Sequence, residues 1–135
     1  MATSETESRQ TARPLSPFMI GSAYRVQMTS ASSFGIRVTG IALGLTVILF
    51  AAWLFAAATS DIWFARLNWL ATSWLGWLFW ILSAWALWFH FLGGLRHFIF
   101  DDARMMELKT AERLGRIMFI GASILTLLTI IVAVI

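Results

Sequence analysis

The sequence has 135 residues, 59% of them hydrophobic and 13% charged, with a mean hydropathy of +0.78. A soluble domain of this size cannot hide that much apolar surface in a single core. The net charge of +3 comes from basic residues set around apolar stretches, so it carries topology and argues against a nucleic-acid partner, while the lack of cysteine excludes disulfides and cysteine-ligated clusters within the chain.

Residues 1–12 are polar, carry Glu5 and Glu7, and lack both the basic start and the apolar stretch of a signal peptide. They read as a disordered tail. Arg13-Pro14-Leu15-Ser16-Pro17 follows, where two prolines impose an extended or turning backbone.

Three windows free of Asp, Glu, Lys and Arg come next. They are Val38–Ser60 with 23 residues, Leu67–Leu95 with 29 and Ile117–Ile135 with 19. About 20 apolar residues cross the hydrocarbon core as a helix, so each window is a candidate span. The expected architecture is an all-α membrane protein. A tail at 1–12 precedes a transmembrane domain at 13–135, with spans at about 36–59, 69–97 and 115–135 by the span-length rule.

Orientation follows from the cations. Arg9, Arg13, Arg25 and Arg37 precede or open the first span; the second loop holds Arg96, Arg104, Lys109, Arg113 and Arg116; the first loop holds only Arg66. The positive-inside rule then puts the N-terminus and second loop inside, and the first loop and C-terminus outside. Trp63 and Trp69 flank the outer loop, as interfacial anchors do.

At about 100° per residue, the second span separates into two faces. Trp74, Trp77, Trp85 and Trp88 fall in one arc, while Thr72, Gly76, Ser83, His90, Gly94 and His97 fall opposite. Small residues let helices in lipid approach, and polar groups turn inward, so His90 faces protein or a cofactor. The alternative is a buried histidine bonded to a neighbouring helix. His97 lies about 10 Å from His90 along the axis, too far for both to ligate one iron, so any second histidine ligand belongs to another polypeptide.

On the first span, Ser33, Arg37, Gly40 and Gly44 share a narrow arc, and Gly40–Gly44 makes a step suited to close helix contact. These residues should aim along the packed face. Arg37 could alternatively snorkel to the inner headgroups. An up-and-down chain brings Ser33 and Arg37 to the same leaflet as His90 and His97. Hydroxyl, guanidinium and imidazole in an apolar pocket suit a carbonyl-bearing amphiphile or a haem with two propionates.

Three stretches resemble the cytochrome b anchor subunit of succinate dehydrogenase, respiratory complex II. They are Arg13-Pro14-Leu15-Ser16-Pro17, then Ser33 followed by Arg37-Val38-Thr39-Gly40, and His90-Phe91-Leu92-Gly93-Gly94-Leu95-Arg96-His97 with Asp101 beyond. The resemblance implies that His90 is an axial ligand of haem b and that Ser33 and Arg37 line a ubiquinone site. It places Arg96, His97 and Asp101 near both. It also implies a smaller anchor subunit supplying the second haem ligand, an iron–sulfur subunit and a flavoprotein that oxidises succinate, with membrane lipid around the anchor. Ile36 stands where the family carries a histidine, and Phe18 where a histidine usually follows the second proline. A bacterial inner membrane is expected over a mitochondrial one, since no basic transit peptide precedes the spans. An anchor of a fumarate reductase and a haem-free structural subunit are the competing readings. A small transporter subunit is disfavoured, because no span holds a carboxylate to couple an ion.

Overall fold

The structure, a computed structural model, describes residues 25–101 and 107–135. The tail at 1–12, the Arg13–Pro17 turn, Phe18 and Arg104 lie outside the described residues. The described residues form four helices: α1 (Met28–Thr59), α2 (Asp61–Thr72), α3 (Trp74–Asp101) and α4 (Leu108–Val134). Among the described residues there is no strand. Helices α1, α3 and α4 are long and apolar enough to cross a membrane.

Serines punctuate the chain where two helices must part without a loop. Ser60, in extended backbone, stops α1 and caps α2, its side chain accepting from the Trp63 N–H at 3.5 Å, with Asp61 in the first turn to complement the helix dipole. Ser73 breaks the long charge-free window of residues 67–95 in the same way, its hydroxyl oxygen accepting from the Gly76 N–H at 3.2 Å. A Cβ at Gly76 would overlap the backbone of Leu70 and Ala71, so only glycine lets α3 leave so close to the end of α2. Trp69 and Thr72 therefore belong to α2, a short helix between the first two spans.

Helices α1 and α3 run antiparallel. One ladder of contacts shows it: Ser32 meets Arg96, Ile36 meets Gly93, Thr39 meets His90, and Thr46 meets Ser83. Helix α4 returns antiparallel to α3, with Trp85 on Ser123 and Arg96 on Ala111. The start of α1, the end of α3 and the start of α4 thus share one end of the bundle. Five of the seven described Lys and Arg residues are in those three segments, Arg25 stands three residues before α1, and Arg66 in α2 is the seventh.

The core lies in the crevice between α1, α3 and α4. Phe89 is wholly buried with Met118 and Ala122, and Ile36, Trp85, Leu92 and Phe119 close around them. Phe89 stacks on Trp85 at 5.0 Å and tilts onto Phe119 at 4.7 Å between ring centroids. The aromatic face of α3 therefore packs as well as the small one. The Trp85 indole donates to Ser123 at 3.2 Å and the Trp88 indole to Thr129 at 2.9 Å, tying α3 to α4. Trp74 and Trp77, nearer the other end, remain exposed. Most large apolar side chains on the outside are uncovered, as lipid or neighbouring subunits require.

Candidate functional site

His90 sits two-thirds of the way along α3, half-buried against α1. Its Nδ1 lies 3.1 Å from the Ile36 carbonyl oxygen and 3.4 Å from Thr39 Oγ1. A carbonyl only accepts, so Nδ1 carries the proton and donates it there. Nε2 makes no hydrogen bond among the described residues, and in a neutral imidazole it carries the lone pair. Thr39 in turn donates to the Gly35 carbonyl at 2.8 Å or the Ile36 carbonyl at 3.0 Å, so its oxygen can also accept from the ring. The imidazole is held by its Nδ1 edge, with Nε2 left for a ligand.

Glycine makes this approach possible. A Cβ at Gly40 would stand 3.0 Å from His90 Cε1, closer than side chains ordinarily come. Gly44, one turn along α1, and Gly94, one turn along α3, would meet nothing within 4 Å. Open space therefore lies over Gly44 and over Gly94, one turn beyond the Gly40–His90 contact on each helix.

The contact face of α1 differs from the expected one. Ser33 and Arg37 are exposed, and Gly44 makes no close contact; the face toward α3 carries Ser32, Ile36, Thr39 and Thr46, with Gly40 at its edge. The cause is about one residue of helical phase, roughly 100°. Besides Gly40, the close helix approach is made by Gly35, whose Cβ would be 2.8 Å from Phe89, and by Gly93, whose Cβ would be 2.6 Å from Ile36. Ser33 and Arg37 remain at the same end of the bundle as His90, on an open face beside the packed one.

Arg96 is buried, at 7% exposure, and its Nη1 donates to the Ser32 hydroxyl at 2.8 Å. His97 and Asp101 are exposed at the same end. Ile36 has two tasks: its carbonyl takes the His90 proton, and its side chain fills the hollow over Gly93. Sequence reasoning missed Ser32 and Thr39. Their spacing of seven, continued by Thr46, was the available signal, since polar residues at that interval stay on one helix face.

Among the described residues no cluster of three or more His, Cys, Asp or Glu is gathered. A haem needs only one imidazole from each side, so the donor set here, a single oriented His90, fits one axial position.

Comparison with known proteins agrees in one direction. A family model described as succinate dehydrogenase/fumarate reductase transmembrane subunit matches residues 9–129. The succinate dehydrogenase cytochrome b556 subunit of Paracoccus denitrificans is 39% identical over 120 residues, spanning 89% of this chain and 91% of that protein.

Proposed function

Because the chain belongs to the succinate dehydrogenase/fumarate reductase transmembrane subunit family, we propose that it anchors a succinate:ubiquinone oxidoreductase, binding haem b jointly with a second, smaller anchor subunit and forming part of the quinone-reduction site. The chain is thus a membrane subunit of an enzyme complex whose succinate chemistry lies in other chains. The name of the 39% identical relative favours succinate oxidation over fumarate reduction as the physiological direction.

The observation that carries the haem assignment is the hydrogen bond from His90 Nδ1 to the Ile36 carbonyl at 3.1 Å. Histidines that ligate metals characteristically donate their other N–H to a carbonyl or carboxylate, which fixes the tautomer and raises ligand basicity. Haem b, when bound, supplies a one-electron redox centre within the membrane. His90 would hold the haem iron through Nε2, and the smaller anchor subunit would supply a further ligand.

Ser33 and Arg37 would serve the quinone. Reduction places negative charge on a quinone oxygen, and a fixed guanidinium stabilises that charge in a water-poor site. Arg37 fills this role, and the Ser33 hydroxyl donates to another polar edge. Neither moves protons well: arginine stays protonated at any relevant pH. Protons therefore reach the quinone through water or a partner's ionisable group. The cation-rich end of the bundle is taken as the inner side, in a bacterial cytoplasmic membrane, where an iron–sulfur subunit and a flavoprotein would dock.

The test is His90→Ala in the intact complex, with assembly checked by native electrophoresis. The expected result is loss or gross alteration of the b-type reduced-minus-oxidised band in complex that still assembles. An unaltered band would remove His90 from the haem and leave it a packing residue between α1 and α3.

A further inference from the structure

Arg96 is the one described cation that is buried, and three helices converge on it. From α3 it reaches Ser32 of α1 with Nη1 at 2.8 Å and the Ala111 carbonyl of α4 with Nη2 at 3.5 Å. The guanidinium lies 4.8 Å from the Phe100 ring centroid. Ser32 is wholly buried and spends its own proton on the Thr29 carbonyl at 3.0 Å, which leaves its oxygen to accept from Arg96. In an apolar interior a charge-assisted bond of this kind has no water to compete with it.

We propose that Arg96 is a positioning residue for quinone reduction: it clamps Ser32 and thereby sets the rotation of α1 that presents Ser33 and Arg37. The proposal rests on the reading of those two residues as quinone contacts. Ser32 and Ser33 are adjacent, so their side chains leave the helix about 100° apart. Fixing Ser32 inward fixes Ser33 on the neighbouring open face, and Arg37 follows one turn later. The clamp acts close to the start of α1, where Gly115 of α4 lets Met28 and Ser32 come close, a Cβ there standing 3.0 Å from Met28 Cγ. Ile36 over Gly93 is the next contact with α3 along the ladder. Without the clamp, the first turns of α1 can roll, and the Ser33–Arg37 face rolls with them. Misplacing a binding group by even 1 Å is costly to a reaction that depends on orientation.

The experiment compares Ser32→Ala, Arg96→Gln, the double variant and Arg37→Gln in the whole complex, with kinetics normalised to haem content. Quinone KM and kcat are read beside succinate oxidation by a soluble dye, which bypasses the quinone. Positioning predicts that Ser32→Ala and Arg96→Gln each raise quinone KM about tenfold, equivalent to about 1.4 kcal/mol. It predicts that the double variant is no worse than Arg96→Gln alone, and that the dye rate is unchanged. If Arg96 instead touched quinone or haem directly, Ser32→Ala would be neutral and Arg96→Gln alone would act, which overturns the proposal. A merely structural clamp would lower the yield of complex while KM per haem stayed constant, and that also overturns it. Ser32→Ala leaves the buried guanidinium only the Ala111 carbonyl, so if it fails to assemble Ser32→Cys, which keeps a weak acceptor, is read in its place, and either decides the matter even if Arg96→Gln fails to assemble. Should Arg37→Gln leave quinone KM unchanged, the quinone-site reading itself fails, separately from the clamp.

Discussion

Replacing Gly40 by alanine tests whether α1 sets the position of the His90 ring. The added Cβ would stand 3.0 Å from Cε1 and 3.5 Å from Nδ1 of the imidazole. To restore ordinary contact the ring must retreat by about 0.4 Å, since such contacts begin near 3.4 Å. The Nδ1 bond to the Ile36 carbonyl, now 3.1 Å, then lengthens to the edge of bonding distance. Losing it costs about 1 kcal/mol, and overpacking costs about 1–3 kcal/mol more. Alanine returns only about 1 kcal/mol through its better helix propensity, so the balance is unfavourable.

The consequence reaches the iron through ligand basicity. A weaker Nδ1–H bond makes Nε2 a poorer donor, and a poorer donor stabilises the oxidised, more positive iron less. The midpoint potential of the haem should rise, by tens of millivolts if about 1 kcal/mol of differential stabilisation is lost in a one-electron couple. A redox titration of the b-type band in the assembled Gly40→Ala complex measures it, with thermal loss of the band as a second readout. A potential and thermal midpoint identical to the parent would refute the argument that Gly40 and the Ile36 carbonyl jointly hold the ring.

Four further outcomes are expected. Gly93→Ala should destabilise the bundle by about 1–3 kcal/mol, because its Cβ would meet Ile36 at 2.6 Å, and Ile36→Ala should relieve part of that loss in the double variant; unfolding in detergent measures both. Trp88→Phe and Thr129→Val should each weaken the α3–α4 contact, with a coupling energy of about 0.6 kcal/mol, typical of interhelical bonds in lipid; a double-mutant cycle showing no coupling would remove the indole tie. Gly44→Ala should leave the fold unchanged, since nothing lies within 4 Å of its Cβ, yet lower haem retention if the open space over Gly44 receives part of the haem. A reporter fused after Ile135 should be active on the outer side of the membrane, because six of the seven described cations are in or just before the segments at the opposite end; activity on the inner side would reverse the proposed orientation.

The three spans were legible because charge is so costly in hydrocarbon that its absence over about 20 residues is nearly diagnostic. The family was legible through resemblance, in the stretches Arg13–Pro17, Ser33 with Arg37–Gly40, and His90–His97 with Asp101. The serine breaks were not. Ser60 and Ser73 end helices through local hydrogen bonds to Trp63 and Gly76, and nothing in hydropathy separates such a serine from one mid-helix. The packed side of α3 was only half legible. Trp85 and Trp88 look like a lipid-facing stripe until their indole N–H groups find Ser123 and Thr129 on a third helix, whose rotation no reading of α3 alone supplies.

The face of α1 shows where a helical wheel runs out of resolution. Ser33-Arg37-Gly40-Gly44 and Ser32-Ile36-Thr39-Thr46 are both coherent stripes, and they differ by about one residue of phase. Weighing Gly and Arg as interface markers selects the first. The deciding terms lie on the partner helix: Arg96 is buried and must have an acceptor, Ser32 is within its reach at 2.8 Å, and Gly93 offers a hollow that Ile36 fills beside Met118. Pairing two nitrogens of a buried guanidinium outweighs the modest gain from a glycine pair of which only Gly40 meets the partner helix. The same choice leaves Ser33 and Arg37 outside the helix contact, and only there can they touch a ligand. A residue committed to packing is unavailable for chemistry, so the phase that buries Ser32 is also the phase that frees its neighbour.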